Sequence, residues 1–389
     1  MNSELTPTQE SNRLFWIDAA RGFSIFGIFM VNIGAFSAPY FLYGGEEQGW
    51  TSSVDPWIQV IIDIFFQASF YTLFSILFGF GIQIMKDRII ARGISLYPFL
   101  LRRLFILLCF GMVHAFLLWH GDILLTYGMV GILSLLLLHV RAETKLGIGS
   151  VLLVGSVSFL SFLYYISRDY LDFVNHPMIE QSFVNYQSND IRTIWMQNYQ
   201  DWVYSNSAFS LFFLTLVLLP LFLFGMFLAE KRWLHEPVKY KSILIKLWVI
   251  AFVCFIGFKI GPYAFGNPLW LSYIQDNIGG MFSALFYILS ITLLAGTGLG
   301  RKLLKPFAYV GRMALTNYIS QSIISFILFY GVGFGLYGSV SPFLGVVFVV
   351  TIFTGQVFFS RWWFMRFRFG PLEWVWRSLT YWKKQPLRK

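Results

Sequence analysis

Apolar residues in this chain run in blocks of about twenty, the length at which an α-helix crosses the hydrocarbon core of a bilayer. Ten such blocks predict ten membrane spans, near 14–36, 57–85, 99–119, 123–140, 147–166, 208–229, 243–261, 279–299, 313–334 and 341–360. The polar stretches between them alternate in kind. Lys86, Arg88, Arg92, Arg102 and Arg103 follow the second block, and Arg141 and Lys145 the fourth. Lys231, Arg232, Lys239 and Lys241 follow the sixth; Arg301, Lys302, Lys305 and Arg312 the eighth; Arg361, Arg366, Arg368 and Arg377 the tenth. The intervening loops are poor in cations: 37–56 carries Glu46, Glu47 and Asp55 and no Lys or Arg. Basic loops are retained in the cytoplasm, so the alternation predicts an all-α, polytopic transmembrane helical bundle with both termini inside. A transmembrane β-barrel would instead show short segments of alternating polarity.

Two segments depart from this rhythm. Residues 167–207 form an outer loop of Asn, Gln, Tyr and Trp, long enough to expect structure or function of its own. Residues 361–384 interleave Arg and Lys with Trp and Phe, the composition of an amphipathic helix lying in the cytoplasmic interface against lipid headgroups. The chain thus divides into an N-terminal part, 1–140, a middle part, 141–300, containing the outer loop, and a C-terminal part, 301–389.

Composition agrees. Charged residues make up 12% of the chain, where a soluble domain has roughly 25%, and 57% are hydrophobic. The net charge of +10 does not indicate nucleic acid, because the cations fall between spans. Cys109 and Cys254 sit in apolar blocks without metal-ligand spacing, so no metal is expected. The polar start, with Glu4 and Glu10 before Arg13, is not that of a cleavable signal peptide.

Against this background the ionisable residues inside apolar blocks carry the interest, since a charge in hydrocarbon needs a partner or a wet cavity. Asp18 and Arg21 are three apart and share a helix face. They either form an ion pair that closes the bundle, or Asp18 orients Arg21 toward an anionic group such as a phosphate. Asn32 lies farther out on the same span. His114 precedes His120-Gly121-Asp122, where Gly121 permits a turn and Asp122 would cap the next helix. An imidazole is also the best base available near neutral pH, and Asp122 or Asp63 could orient it. Thr72 and Ser75, beside Gly79 and Gly81, suit helix packing or a substrate path, as does Tyr127. Asn317 and Gln321 share a face and either bond a neighbouring helix or line a cavity. Pro371, Glu373 and Arg377 read as a helix start with an i, i+4 pair. No phosphate loop, dinucleotide fingerprint or nucleophile elbow is present.

These stretches resemble the YeiB family of bacterial membrane proteins: Asp18-x-x-Arg21-Gly22 with Asn32; Leu73-Phe74-Ser75-x-Leu77-Phe78-Gly79; His114 with Gly121-Asp122 and Tyr127; Gly311-Arg312 through Asn317, Tyr318 and Gln321; and Gly370-Pro371-x-Glu373-Trp374-x-Trp376-Arg377. The resemblance extends to the transmembrane acyltransferase superfamily, whose members move acyl groups from coenzyme A thioesters to acceptors, often sugars. It implies an acyl-coenzyme A donor; on that reading Asp18, Arg21, Arg102, Arg103 and Arg312 of this chain would hold the donor, and His114, oriented by Asp122, would serve as the base. Asn32, Thr72, Ser75, Tyr127, Asn317 and Gln321 would line the cavity. It further implies a multi-pass protein of the bacterial inner membrane, in contact with lipid and with a small-molecule substrate; a homodimer is compatible with the sequence but does not follow from it. One branch of that superfamily carries a His eleven residues after the Arg. This chain has Asn32 there, so any base must come from elsewhere, and His114 is the candidate. A transporter for a small metabolite or lipid, and a non-catalytic lipid-binding scaffold, are the competing expectations.

Overall fold

The computed structural model describes residues 14–389; the polar stretch with Glu4, Glu10 and Arg13 lies outside them. Among the described residues there are fifteen helices of eleven residues or more and no β-strand. In chain order they are α1 (Phe15–Ser37), α2 (Asp55–Phe65), α3 (Ser69–Ala91), α4 (Leu96–Leu117), α5 (Leu124–Ser134), α6 (Ala142–Ile166), α7 (His176–Tyr186) and α8 (Ile191–Ser205). There follow α9 (Ala208–Lys231), α10 (Lys241–Ile260), α11 (Gly280–Ala295), α12 (Gly298–Gly311), α13 (Ala314–Phe329), α14 (Pro342–Arg366) and α15 (Pro371–Tyr381). Eight helical stretches are long and apolar enough to span a bilayer, and Leu124–Leu137 and Ala314–Phe329 are shorter apolar helices. Each of these ten falls on one of the apolar blocks of the sequence. The protein is a multi-pass membrane protein.

Helices in lipid gain nothing from hiding apolar surface from one another, so small residues that let backbones approach decide where they cross. At Gly22 an added Cβ would lie 1.9 Å from the carbonyl oxygen of Phe307, and at Gly311 it would lie 1.9 Å from that of Asp18. Helices α1 and α12 therefore cross backbone on backbone. Gly79 against Phe222, and Gly225 against Ile76, lock α3 to α9 in the same way, with Cβ-to-oxygen distances of 2.0 Å. The two crossings place α1 and α3 at the centre of the bundle.

One segment corrects the sequence-based outline, and a second fills it in. The basic stretch after the eighth block is helix α12 rather than a loop. Its apolar side, with Leu304, Ala308 and Gly311, is buried, while Arg301 and Lys302 stay exposed. The outer segment 167–207 folds into α7 and α8, started by side-chain caps from Asn175 and Asp190. Asp201 on α8 fastens them to the bundle: it accepts from the hydroxyls of Tyr43 and Tyr186, each at 2.7 Å, and from Gln197 at 2.6 Å. Helix α15 has the expected amphipathic composition and begins at Pro371.

Candidate functional site

At the end of the bundle that carries the basic loops, a cavity of about 220 Å³ opens between α1, α3, α4, α5, α13 and α15. Its mouth is cationic: Arg21, Arg103, Arg312 and Arg377 line it, against the single carboxylate of Glu373. Its depth is apolar and aromatic, ending at Ile28, Tyr127 and Tyr318. Arg21 sits in the cavity because Gly22 lets α1 meet α12, and because Gly81 on α3 leaves room for its guanidinium, 3.4 Å from where a Cβ would stand. Arg103 is held by Trp376 of α15, whose ring lies 3.7 Å from the guanidinium carbon and whose indole N–H donates to the Arg103 carbonyl at 2.9 Å. Glu373 caps the exposed amides at the start of α13, accepting from the N–H groups of Leu315 and Thr316 and from the Thr316 hydroxyl. Burial raises its carboxyl above the usual range, and those donors work against the rise. The local pairing with Arg377 read from sequence thus missed its main role, which is to fix α15 to α13 across the mouth.

Beyond Tyr318 lies a buried polar cluster. His114 Nδ1 is 2.7 Å from Asp122 Oδ1, and His114 Nε2 is 2.7 Å from Ser322 Oγ. Asp122 Oδ2 accepts from the Leu125 amide at 2.6 Å, capping α5. Capping and orienting the imidazole, two alternatives in the sequence, are performed by one carboxylate. The ring of Tyr318 packs on that of His114, centroids 5.0 Å apart. His114 and Ser322 are each 1% exposed. Nothing in the sequence singled out Ser322 from Ser320 and Ser325 beside it: a Ser in an apolar block ordinarily bonds its own helix, and the partner of Ser322 lies 208 residues away.

The remaining candidates divide. Ser75 hydrogen-bonds the Tyr127 hydroxyl at 2.6 Å, at the wall of the cavity. Thr72 is buried on α3 and lines no part of it. Asn317 bonds Ser360 and the Val310 carbonyl, and Gln321 bonds Gln356, so both join α13 to α14 rather than facing the cavity. Arg102 also lies outside it, its guanidinium 5.6 Å from the ring of Trp382. Asp18 is buried on α1 but does not line the cavity, and half-buried Asn32 does not reach it. Asp63 does not approach His114; it accepts from Tyr263 at 2.6 Å and from Gln275 at 2.9 Å. Those groups line a second cavity, of about 390 Å³, with Glu46, Gln59 and Asp276, at the opposite end of the bundle. Its lining residues on α1, among them Met30, Ile33 and Ser37, lie on the helix face opposite Arg21 and Ile28. The helix thus separates the two spaces.

Residues 228–383 match the family described as "Protein of unknown function (DUF418)". The chain is 35% identical over its full length to YxaH of Bacillus subtilis (strain 168), covering 99% of that protein. The chain belongs to the YeiB family. YeiB of Escherichia coli (strain K12) is 29% identical over 94% of this chain and 95% of its own length. A 39.9 kDa protein encoded in the amylase 3' region of Bacillus acidopullulyticus is 28% identical over 98% of each. Within this YeiB-family chain, Arg312, Tyr318, Ser322, Glu373 and Arg377 fall inside the stretch matched by the family, whereas Arg21, His114 and Asp122 fall in the part aligned only with full-length relatives.

Proposed function

We propose that this protein is a membrane acyltransferase of the bacterial inner membrane, drawing an acyl-coenzyme A thioester from the cytoplasm. The observation that supports this reading is the first cavity. Four guanidinium groups at the mouth suit the phosphates of the donor, since Arg forms paired, charge-assisted hydrogen bonds with phosphate oxygens. The apolar depth suits the pantetheine arm and the acyl group. From Arg21 to Ile28 the cavity follows α1 for about 10 Å at helical rise. The arm would thus bring the thioester toward Tyr318 and the His114–Asp122 pair behind it. Held by Asp122 on Nδ1, His114 presents Nε2 as a proton acceptor. The acceptor would be a small molecule or lipid reaching the pair through the bundle.

The test is mass spectrometry of small molecules that co-purify with the full-length protein in mild detergent, with Arg21→Ala as control. A coenzyme A species present in the parent and lost from the variant is the expected result. A phospholipid or metabolite bound without coenzyme A would overturn the reading. The second cavity, on the other face of α1, favours one further reading, export of a small metabolite or lipid. Efflux from vesicles driven by a proton gradient, with no acyl transfer, would establish that instead.

A further inference from the structure

We infer that Ser322 is the first acceptor of the acyl group, so that transfer runs through an ester on this chain. The inference rests on the acyltransferase reading for its substrate, but its geometry is independent of the basic cavity. Ser322, His114 and Asp122 come from α13, α4 and the turn before α5, and they meet in the order nucleophile, imidazole, carboxylate. Asp122 is fixed as an acceptor because its other oxygen already takes the Leu125 amide. It therefore draws the ring proton to Nδ1, which leaves Nε2 unprotonated. In the neutral ring Nε2 then accepts, and the Ser322 hydroxyl donates to it across 2.7 Å. That is the direction of bonding that activates a serine, and such an arrangement is recognised by geometry and roles rather than by sequence order.

The helix itself shows that the contact is not incidental. Several serines in the spans turn back onto a carbonyl of their own helix, Ser24 and Ser75 four residues earlier at 2.8 Å each, Ser134 and Ser320 three residues earlier at 2.7 and 2.8 Å. Ser322 stands 3.5 Å from the corresponding carbonyl of Tyr318 and 2.7 Å from the imidazole. One turn before it, Tyr318 lines the cavity; the Ile123 amide approaches its buried hydroxyl, which has no acceptor for its own proton at hydrogen-bonding geometry among the described residues. A buried donor without an acceptor is what an oxyanion needs beside it.

The chemistry balances without a further reagent. Ser322 Oγ bonds to the thioester carbonyl carbon as its proton passes to His114 Nε2. The carbon–sulfur bond then breaks, Nε2 returns the proton to sulfur, and the free thiol of coenzyme A leaves. A hydroxyl or amine acceptor attacks the Ser322 ester, giving its proton to Nε2. As the ester bond breaks, that proton passes to Ser322 Oγ, and the acylated acceptor departs.

The experiment uses the full chain in detergent, treated in parallel with isotope-labelled acetyl-coenzyme A and with a fluorophosphonate, which needs no coenzyme A site. Labelled peptides are read by mass spectrometry. Acetyl-coenzyme A binding to every variant is measured separately. The expected result is an acetyl ester and a phosphonate adduct on Ser322, both absent from Ser322→Ala. Labelling should slow by about 10²-fold or more in His114→Gln, and Ser322→Cys should carry a hydroxylamine-sensitive thioester. If the fluorophosphonate marks Ser322 in a His114-dependent way while acetyl-coenzyme A does not bind, the donor reading falls and the nucleophile stands. Bound acetyl-coenzyme A with no ester and no adduct on Ser322, or transfer at the parent rate in Ser322→Ala, overturns the inference.

Discussion

Gly311→Ala offers the sharpest test of how the cavity is built. The new methyl carbon would stand 1.9 Å from the Asp18 carbonyl oxygen and 2.5 Å from the Gly22 nitrogen. Ordinary contact begins at 3.4 Å, and both obstructing atoms are backbone, so neither can rotate away. Helices α1 and α12 must part by at least about 1.5 Å. Overpacking that side chains can absorb costs about 1–3 kcal/mol, and a backbone collision belongs at or above the upper end. At roughly 1.4 kcal/mol per tenfold, a loss of about 3 kcal/mol changes the folded-to-unfolded ratio by more than a hundredfold. Arg312 and Arg21 are the chain neighbours of Gly311 and Gly22, so the same movement spreads the cationic mouth. Donor affinity should then fall by about tenfold or more. Gly34→Ala, on the same helix with no atom within 4 Å of its added methyl, is the control. It should be neutral, or more stable by up to about 1 kcal/mol from helix propensity. Reversible unfolding in mixed micelles, with binding of a coenzyme A thioester measured beside it, gives both quantities. Gly22→Ala combined with Gly311→Ala should cost less than the two singly, because the helices separate once. If Gly311→Ala matched Gly34→Ala in stability and bound donor as the parent does, the backbone-on-backbone crossing would be refuted.

Among the arginines, Arg21→Ala and Arg103→Ala should each weaken donor binding about 10- to 100-fold, the worth of a charge-assisted hydrogen bond of roughly 1.5–3 kcal/mol, while Arg102→Ala should leave it unchanged. Titration calorimetry separates these outcomes, and an equal loss in Arg102→Ala would contradict the placement of that side chain. Glu373→Ala removes three hydrogen bonds at the start of α13, and limited proteolysis should show α15 released from the bundle, with about 1–2 kcal/mol lost as for a missing helix cap. His120, in the turn after α4, is held below its ordinary pKa of 6.5 by burial, and Asp201, 3.7 Å away, partly restores it. The unfolded chain therefore takes up the proton first as pH falls below 6.5. Stability should decline from there to the lower folded pKa and be flat above 6.5. His120→Gln should shrink that slope in thermal inactivation measurements, leaving the part due to His235, whose pKa burial also lowers. An unchanged slope would show that His120 does not titrate between those limits.

The spans were readable because hydrocarbon imposes one rule on every residue that crosses it, and a twenty-residue window senses that rule directly. Helix α12 was hidden for a matching reason. Its cations lie on the exposed side and its small buried residues face α1, so averaged along the chain it reads as a basic loop. Asp122 was legible as a cap because capping is local, three residues from donor to acceptor. The amides that Glu373 caps lie 57 and 58 residues away, beyond any local pattern, so that role was not legible. Asn317 and Gln321 were seen to share a face, but whether that face meets a helix or a cavity depends on Gln356 and Ser360 of α14. Ser322 left no trace, since its significance lies wholly in a neighbour brought by another helix.

The crossing of α1 on α12 also has a meaning in time. Gly22 and Gly311 are 289 residues apart, so at 5–20 residues per second the ribosome needs about 15–60 s to deliver the second after the first. Throughout that interval the helix bearing Asp18 and Arg21 is in place without the partner that seals its flank. Its charges must be sheltered by the insertion machinery or drawn toward the headgroups. Assembly of this crossing is thus a delayed event, in which α1 waits for a helix made 289 residues later. A chain broken off before Gly298 would hold most of its spans and still present an unfinished surface to the membrane's quality control.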